Sequence, residues 1–306
     1  MIRVAVLGCG AIGSLYAAHL SRAPDAEVWA VDPWAEHMTA IDRNGLTVTG
    51  LAEFVAPVHA LTDAAGLPPC DLGIVASKAQ HTMAAVESAR QALADAAVVS
   101  VQNGVGNEET IAGVVPRVIR GTIVTAGAVT APGTVRYDAP GDTWIGPFEP
   151  SPARPEEIAL LGRLLEAGGL TTHVVADARG PQWTKVVFNA ATSPLAALTG
   201  LTVGAVCTDP GLRREVERLI EEAETVCDRA GIALTRDPRE AVEEAIREAY
   251  DHKPSMLQDV LARRTTEIAV LNGGIAAEGR RTGVPTPAHD AMVALVRGLE
   301  SSWRRG

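Results

Sequence analysis

Clustered cysteines, clustered basic residues and long apolar runs are all missing from this chain of 306 residues, and each absence excludes a class of function. The four cysteines, Cys9, Cys70, Cys207 and Cys227, are scattered with no C-x-x-C spacing. They read as reduced thiols rather than a disulfide frame or a zinc site. The seven histidines are dispersed with no H-x-x-x-H pair, so no metal site is expected. Net charge is −10 and the pI about 5.2, with no basic run to track a phosphate backbone, so nucleic acid is not an expected partner. The apolar runs are short and interrupted, and no membrane span is expected. Met1-Ile2-Arg3-Val4 already reads as a core strand rather than a leader, which points to the cytoplasm. There is no internal repeat and no low-complexity tract. What remains is an ordinary globular composition, 47% hydrophobic and 21% charged, with length for about two domains.

The first thirty-two residues carry the strongest pattern. An apolar strand, Ile2–Leu7, runs into Gly8-Cys9-Gly10-Ala11-Ile12-Gly13, then into a helix to about Arg22 and a strand, Glu27–Val31, that ends on Asp32. A bare G-x-G-x-x-G means little. Between strand and helix, with an acid after the next strand, it is the dinucleotide-binding arrangement. Gly8 allows the tight turn, Gly10 lets a diphosphate approach the backbone, and Gly13 lets helix and strand pack closely. The free N–H groups of Gly10, Ala11, Ile12 and Gly13 and the positive helix end suit phosphate. Asp32 suits ribose hydroxyls and repels a 2′-phosphate, which favours NAD(H) over NADP(H), although NADP(H) stays open.

Beyond this start, strands are expected at 71–76 and 97–101 with a helix at 80–93 between them, a βαβ rhythm that implies a parallel sheet. Residues 46–58 read as a short antiparallel excursion around Gly50, and 118–145 as antiparallel strands extending the same sheet. A helix at 155–167 and a strand at 171–175 complete this half. From Gly180 the apolar residues recur at helical spacing, and helices are expected at 181–198, 210–230, 238–250, 255–281 and 286–304. The fold class is therefore α/β, an N-terminal Rossmann-type parallel-sheet domain (residues 1–177) followed by an all-helical C-terminal domain (178–306). The long C-terminal helices could pair as a homodimer.

Substrate in such a fold is expected at the carboxyl ends of the strands, in the cleft against the second domain. Asn103, in Gln102-Asn103-Gly104-Val105-Gly106, offers a donor and an acceptor to nicotinamide, ribose or substrate; Asn also simply suits a glycine turn. Lys78 could reach the cofactor or lie solvated. Lys185 and Asn189 share a face of a helix so apolar that a lysine there needs partners, unless it snorkels at the edge. Ser255 stands where a helix would start and reads as an N-cap. Asp259, Arg263 and Glu267 fall at i, i+4 and i+8, the spacing of a surface ion-pair ladder.

Together these stretches resemble the ketopantoate reductase (2-dehydropantoate 2-reductase) family over nearly the whole chain. The resemblance rests on the glycine turn, Gln102-Asn103-Gly104-Val105-Gly106, Trp183-Thr184-Lys185 with Asn189 and Pro194-Leu195, and Ser255-Met256-Leu257-Gln258-Asp259 with Thr266-Glu267-Ile268. It implies Lys185 as the catalytic lysine and Glu267 as an active-site glutamate. It implies Asn103, Asn189 and Ser255 around the keto acid and nicotinamide, and Lys78 near the cofactor. Ser193 stands where some members carry Asn, and Asp32 where many carry a basic residue suited to NADP. The implied reaction is reduction of a branched 2-oxo acid, foremost 2-dehydropantoate to (R)-pantoate for coenzyme A precursor synthesis. The two departures keep an NAD-dependent D-mandelate-type dehydrogenase of the same family in play. A nucleotide-sensing regulator that lost its chemistry is the non-enzymatic alternative.

Overall fold

The opening pattern folds as strand, turn, helix and strand in a computed structural model of the protein, which describes residues 1–303. These are β1 (Ile2–Leu7), α1 (Ala11–Leu20) and β2 (Ala26–Val31). The chain divides into two units, Met1–Gln102 with Asn107–Ala178, and Asn103–Gly106 with Arg179 onward. The turn at 103–106 thus departs from a continuous first domain over 1–177, because its contacts lie with residues of the second unit.

The first unit continues with α2 (Ala35–Asn44), β3 (Leu46–Gly50), β4 (Phe54–Ala56), β5 (His59–Leu61), β6 (Leu72–Val75), α3 (Thr82–Ser88), β7 (Ala97–Ser100), α4 (Asn107–Ala112), β8 (Val118–Ile123), β9 (Ala126–Ala131), β10 (Thr134–Ala139), β11 (Thr143–Pro147), α5 (Pro155–Ala167) and β12 (Thr172–Val174). An eight-stranded sheet runs β12-β11-β8-β7-β6-β1-β2-β5. The strands from β5 through β8 are parallel, with Val4 opposite both Val28 and Leu72. β11 is antiparallel to β8. Apolar cores lie on its two faces, as a sheet covered on both sides requires.

Two expectations about the strands and helices of the first unit need correction. The stretch 118–145 does not all extend the main sheet: β9 and β10 join β3 and β4 in a separate sheet of order β4-β3-β10-β9. Alternating hydrophobicity marks strands without saying which edge they pair with. This second sheet covers the outer side of α1, whose residues from Gly13 to Leu20 are all buried. That is why Ala11–Leu20 shows no solvated polar stripe: its polar side chains Ser14 and His19 are themselves buried and hydrogen-bond to the Cys9 and Gly168 carbonyls. The helix expected at 80–93 shortens to α3 behind a 3₁₀ turn, Ala79–His81, and its end runs out through i→i−3 bonds from Ala89 and Arg90.

The second unit is helical: α6 (Arg179–Thr199), α7 (Val203–Thr208), α8 (Pro210–Ala230), α9 (Pro238–Glu248), α10 (Ser255–Leu261), α11 (Asn272–Thr282) and α12 (Pro287–Ser302). The limits of α8 follow from its ends. Asp209 accepts from the Gly211 and Leu212 N–H groups, Pro210 opens the first turn, and Gly231 closes the helix in the left-handed region at φ +64°. The expected end of the last helix at Arg304 lies outside the described residues. α6 is the hub, packed against α8, α10 and α12. Pro194 lies inside it and cannot donate to the carbonyl of Ala190. The Asn272 side chain donates to that carbonyl instead, at 2.9 Å. Among the described residues no helix is long and apolar enough to cross a membrane, and no group of three or more His, Cys, Asp or Glu could hold a metal ion.

The helix expected over 255–281 is broken between α10 and α11. The Arg263 N–H bonds to Val260 O and the Arg264 N–H to Asp259 O, with Arg263 left-handed at φ +50°. This is the six-to-one and five-to-two closure that usually ends on glycine. An arginine at that position gives no stop signal in the sequence. The Asp259–Arg263–Glu267 ladder therefore does not exist: Asp259 is buried and pairs with Arg264 at 3.1 Å, and Glu267 lies in a non-helical turn.

Candidate functional site

In the first unit the glycines of the turn play three physically different parts. A methyl group on Gly8, at φ +94°, would stand 2.5 Å from the Ser77 nitrogen. One on Gly13 would stand 1.8 Å from the Gly8 carbonyl oxygen, so α1 and the turn meet only because it is absent. One on Gly10 meets nothing within 4 Å and faces open space. Ala11 and Ile12 open α1, partly exposed, with no side-chain cap and no acid in the first turn. Asp32, at the end of β2, accepts from the Cys9 N–H at 2.7 Å and the Trp34 N–H at 2.9 Å. Its half-buried carboxylate keeps further lone pairs for ribose hydroxyls. Uncapped helix donors, an open glycine and a terminal carboxylate form a donor set that fits the diphosphate and ribose of a dinucleotide. Ser77 and Lys78 follow β6, and Lys78 is half-buried.

In the second unit three of the candidates form a chain. Lys185, half-buried in α6, donates from Nζ to Asn103 Oδ1 at 2.8 Å. Asn103 donates from Nδ2 to Glu267 Oε2 at 3.2 Å. Asn103 thus stands between the ammonium and the buried carboxylate. The turn that carries it is fixed locally. The Val105 N–H donates to Val270 O at 2.9 Å, and a methyl group on Gly104 would stand 2.5 Å from that same oxygen. Burial lowers the Lys185 pKa to about 8, with the Glu267 charge acting in the opposite direction. At neutral pH the group is a protonated ammonium that can give up its proton readily, the property of a general acid.

Asn189 and Ser193 follow Lys185 at intervals of four along α6, Asn189 half-buried and Ser193 buried. No hydrogen bond among the described residues ties either of them, or Ser255, to the Lys185–Asn103–Glu267 chain. The reading of Ser255 as an N-cap is corrected: Pro254 occupies that position, no side chain caps α10, and Ser255 is its exposed first residue. Sequence reasoning missed Glu300. It accepts from both the N–H and the hydroxyl of Thr266, at 2.7 and 2.6 Å, and so holds the turn that carries Glu267. The available signal was an acid in the last turn of a helix, where the dipole disfavours it.

The chain matches the family described as Ketopantoate reductase PanE/ApbA over residues 4–150 and its C-terminal counterpart over 177–300. It is 33% identical to a 2-dehydropantoate 2-reductase of Mesorhizobium japonicum, over 97% of this chain and 98% of that one. The crystal structure of a PanE/ApbA family ketopantoate reductase from Ralstonia eutropha superposes with a TM-score of 0.89 at 29% identity, covering 99% of this chain and 100% of that one. A ternary structure of D-mandelate dehydrogenase with NADH and anilino(oxo)acetate is similar at 25% identity and a TM-score of 0.88, covering 98% of this chain and 99% of that one.

Proposed function

This chain belongs to the ketopantoate reductase PanE/ApbA family, and from that premise we propose that it reduces a branched 2-oxo acid to the D-2-hydroxy acid, with 2-dehydropantoate as substrate and (R)-pantoate as product. It is an NAD(P)-dependent oxidoreductase acting on the CH–OH group. The nicotinamide, when bound, supplies hydride to the keto carbon. The Lys185 ammonium hydrogen-bonds the substrate carbonyl oxygen, stabilises its growing negative charge and delivers the proton. Asn103 aims Nζ, and the Glu267 charge keeps the amine protonated against the cost of burial. Asn189, Ser193 and Ser255 hold the carboxylate and the branched end of the acid. The backbone from Gly10 to Gly13 takes the diphosphate and Asp32 the adenosine ribose, with Lys78 beside the cofactor. The Asp32 carboxylate disfavours a 2′-phosphate, so NADH is the preferred reductant.

The observation that carries this reading is the 2.8 Å bond from Lys185 to Asn103 on an amine brought to about 8. A second reading, an NAD-dependent dehydrogenase of a bulkier aromatic acid, draws on Asp32, the short Ser193 hydroxyl and the likeness to D-mandelate dehydrogenase. Initial rates with 2-dehydropantoate, 2-oxoisovalerate and phenylglyoxylate, each with NADH and NADPH, separate the two. The highest kcat/KM is expected for 2-dehydropantoate with NADH. Preference for phenylglyoxylate would transfer the assignment to the second reading, and preference for NADPH would refute the role given to Asp32.

A further inference from the structure

The dinucleotide-binding turn is braced from behind by a buried relay that the chemistry above does not use. Ser14, in α1, and His37, in α2, are both fully buried. The Gly133 N–H donates to His37 Nδ1 at 3.0 Å. A backbone N–H can only donate, so Nδ1 must be the bare nitrogen and the ring proton sits on Nε2. His37 Nε2 lies 3.1 Å from Ser14 Oγ, which makes the imidazole the donor there. The Ser14 hydroxyl then spends its own proton on the Cys9 carbonyl, at 3.0 Å. Burial lowers the His37 pKa, with Asp32 acting in the opposite direction, so the ring stays neutral as the relay requires. Every donor and acceptor in this line has one assignment.

The far end of the relay matters because a trans peptide is planar. Its C=O and N–H point in opposite directions. Holding the Cys9 carbonyl toward Ser14 turns the Gly10 N–H away from it. That N–H makes no hydrogen bond among the described residues, and it belongs to the glycine whose α-carbon opens onto empty space. The preceding peptide is pinned as well, since the Cys9 N–H is held by Asp32 at 2.7 Å. Two consecutive peptide planes of the turn are therefore set by side chains outside it.

We propose that Ser14 and His37 are positioning residues for cofactor binding: through the Cys9 carbonyl they aim the Gly10 N–H at a diphosphate oxygen of the dinucleotide. The inference rests on the nicotinamide-dependent reading above. It is tested by calorimetric titration of the whole protein with NADH, alongside cofactor KM and kcat. Ser14→Ala is expected to weaken NADH binding by roughly three- to tenfold, the size of one lost hydrogen bond, and to appear in KM and Kd rather than kcat. His37→Phe keeps a ring of similar shape against Trp34, which stacks on it at 4.9 Å, but has no nitrogen. It should weaken binding to the same degree. His37→Gln keeps a donor for Ser14 and should recover most of the affinity. Thermal melts close to wild type in Ser14→Ala separate this effect from a loss of fold. Wild-type protein that binds neither NADH nor NADPH overturns the underlying reading. Wild-type binding with unchanged affinity in Ser14→Ala overturns the relay alone.

Discussion

Lys185 is one of three lysines among 27 basic residues, the other 24 (27 − 3) being arginines. The distinction is chemical: an arginine stays charged at any working pH, whereas a buried lysine can be tuned toward neutrality. With its pKa lowered to about 8, Lys185 carries the transferable proton below that value and lacks it above. The kcat for keto-acid reduction is therefore expected to fall as pH rises through about 8, and a flat profile to pH 10 would remove Lys185 from the proton transfer. Glu267→Gln deletes the charge that opposes desolvation, so the inflection should move to lower pH. Lys185→Ala should lower kcat by roughly 10²–10⁴ while cofactor affinity holds. The same shift has a sign for stability. Between about 8 and the ordinary lysine range the unfolded chain keeps a proton that the folded chain has released, so stability rises with pH across that window. Lys185→Met should lose this dependence in a series of thermal melts.

The elements that carry these residues depend on how their broken hydrogen bonds are repaired. In α6 the carbonyl freed by Pro194 is satisfied by Asn272, whose amide nitrogen also lies 3.1 Å from His289 Nδ1. Asn272→Leu would leave the Ala190 carbonyl and that ring nitrogen buried without a donor. Urea unfolding should register a loss of about 1–3 kcal/mol. Between α10 and α11 the strain runs the other way. Arg263 holds a left-handed conformation that a side chain disfavours. Arg263→Gly should therefore stabilise the protein by about 0.5–1 kcal/mol, and a measured loss would mean that the arginine side chain contributes more than its backbone costs. That break frees residues 262–271 from helical geometry and lets Glu267 meet Asn103.

At the scale of the whole molecule, the second unit is not a continuous stretch of chain, since Asn103–Gly106 belongs to it. A fragment starting at Arg179 would lack the partner of Lys185 Nζ and the strand-like bond from Val105 to Val270. It should melt at lower temperature and less cooperatively than the second unit of the intact chain, as followed by circular dichroism. Local pattern sufficed for much of the architecture. The glycine turn, the alternation of strand and helix, and the limits of α5 and α8 are written in short-range signals: apolar periodicity, a proline in the first turn, a closing glycine. Those signals act between residues a few positions apart, and reading them needs no knowledge of the remaining chain. The separate sheet of β9 and β10, the arginine that ends α10, and the meeting of Lys185, Asn103 and Glu267 across 82 and 164 positions have no such local mark. They were decided by which surfaces found each other on folding. A hydrogen bond or a desolvated charge depends on distance in space, and for groups this far apart along the chain only the folded backbone sets that distance.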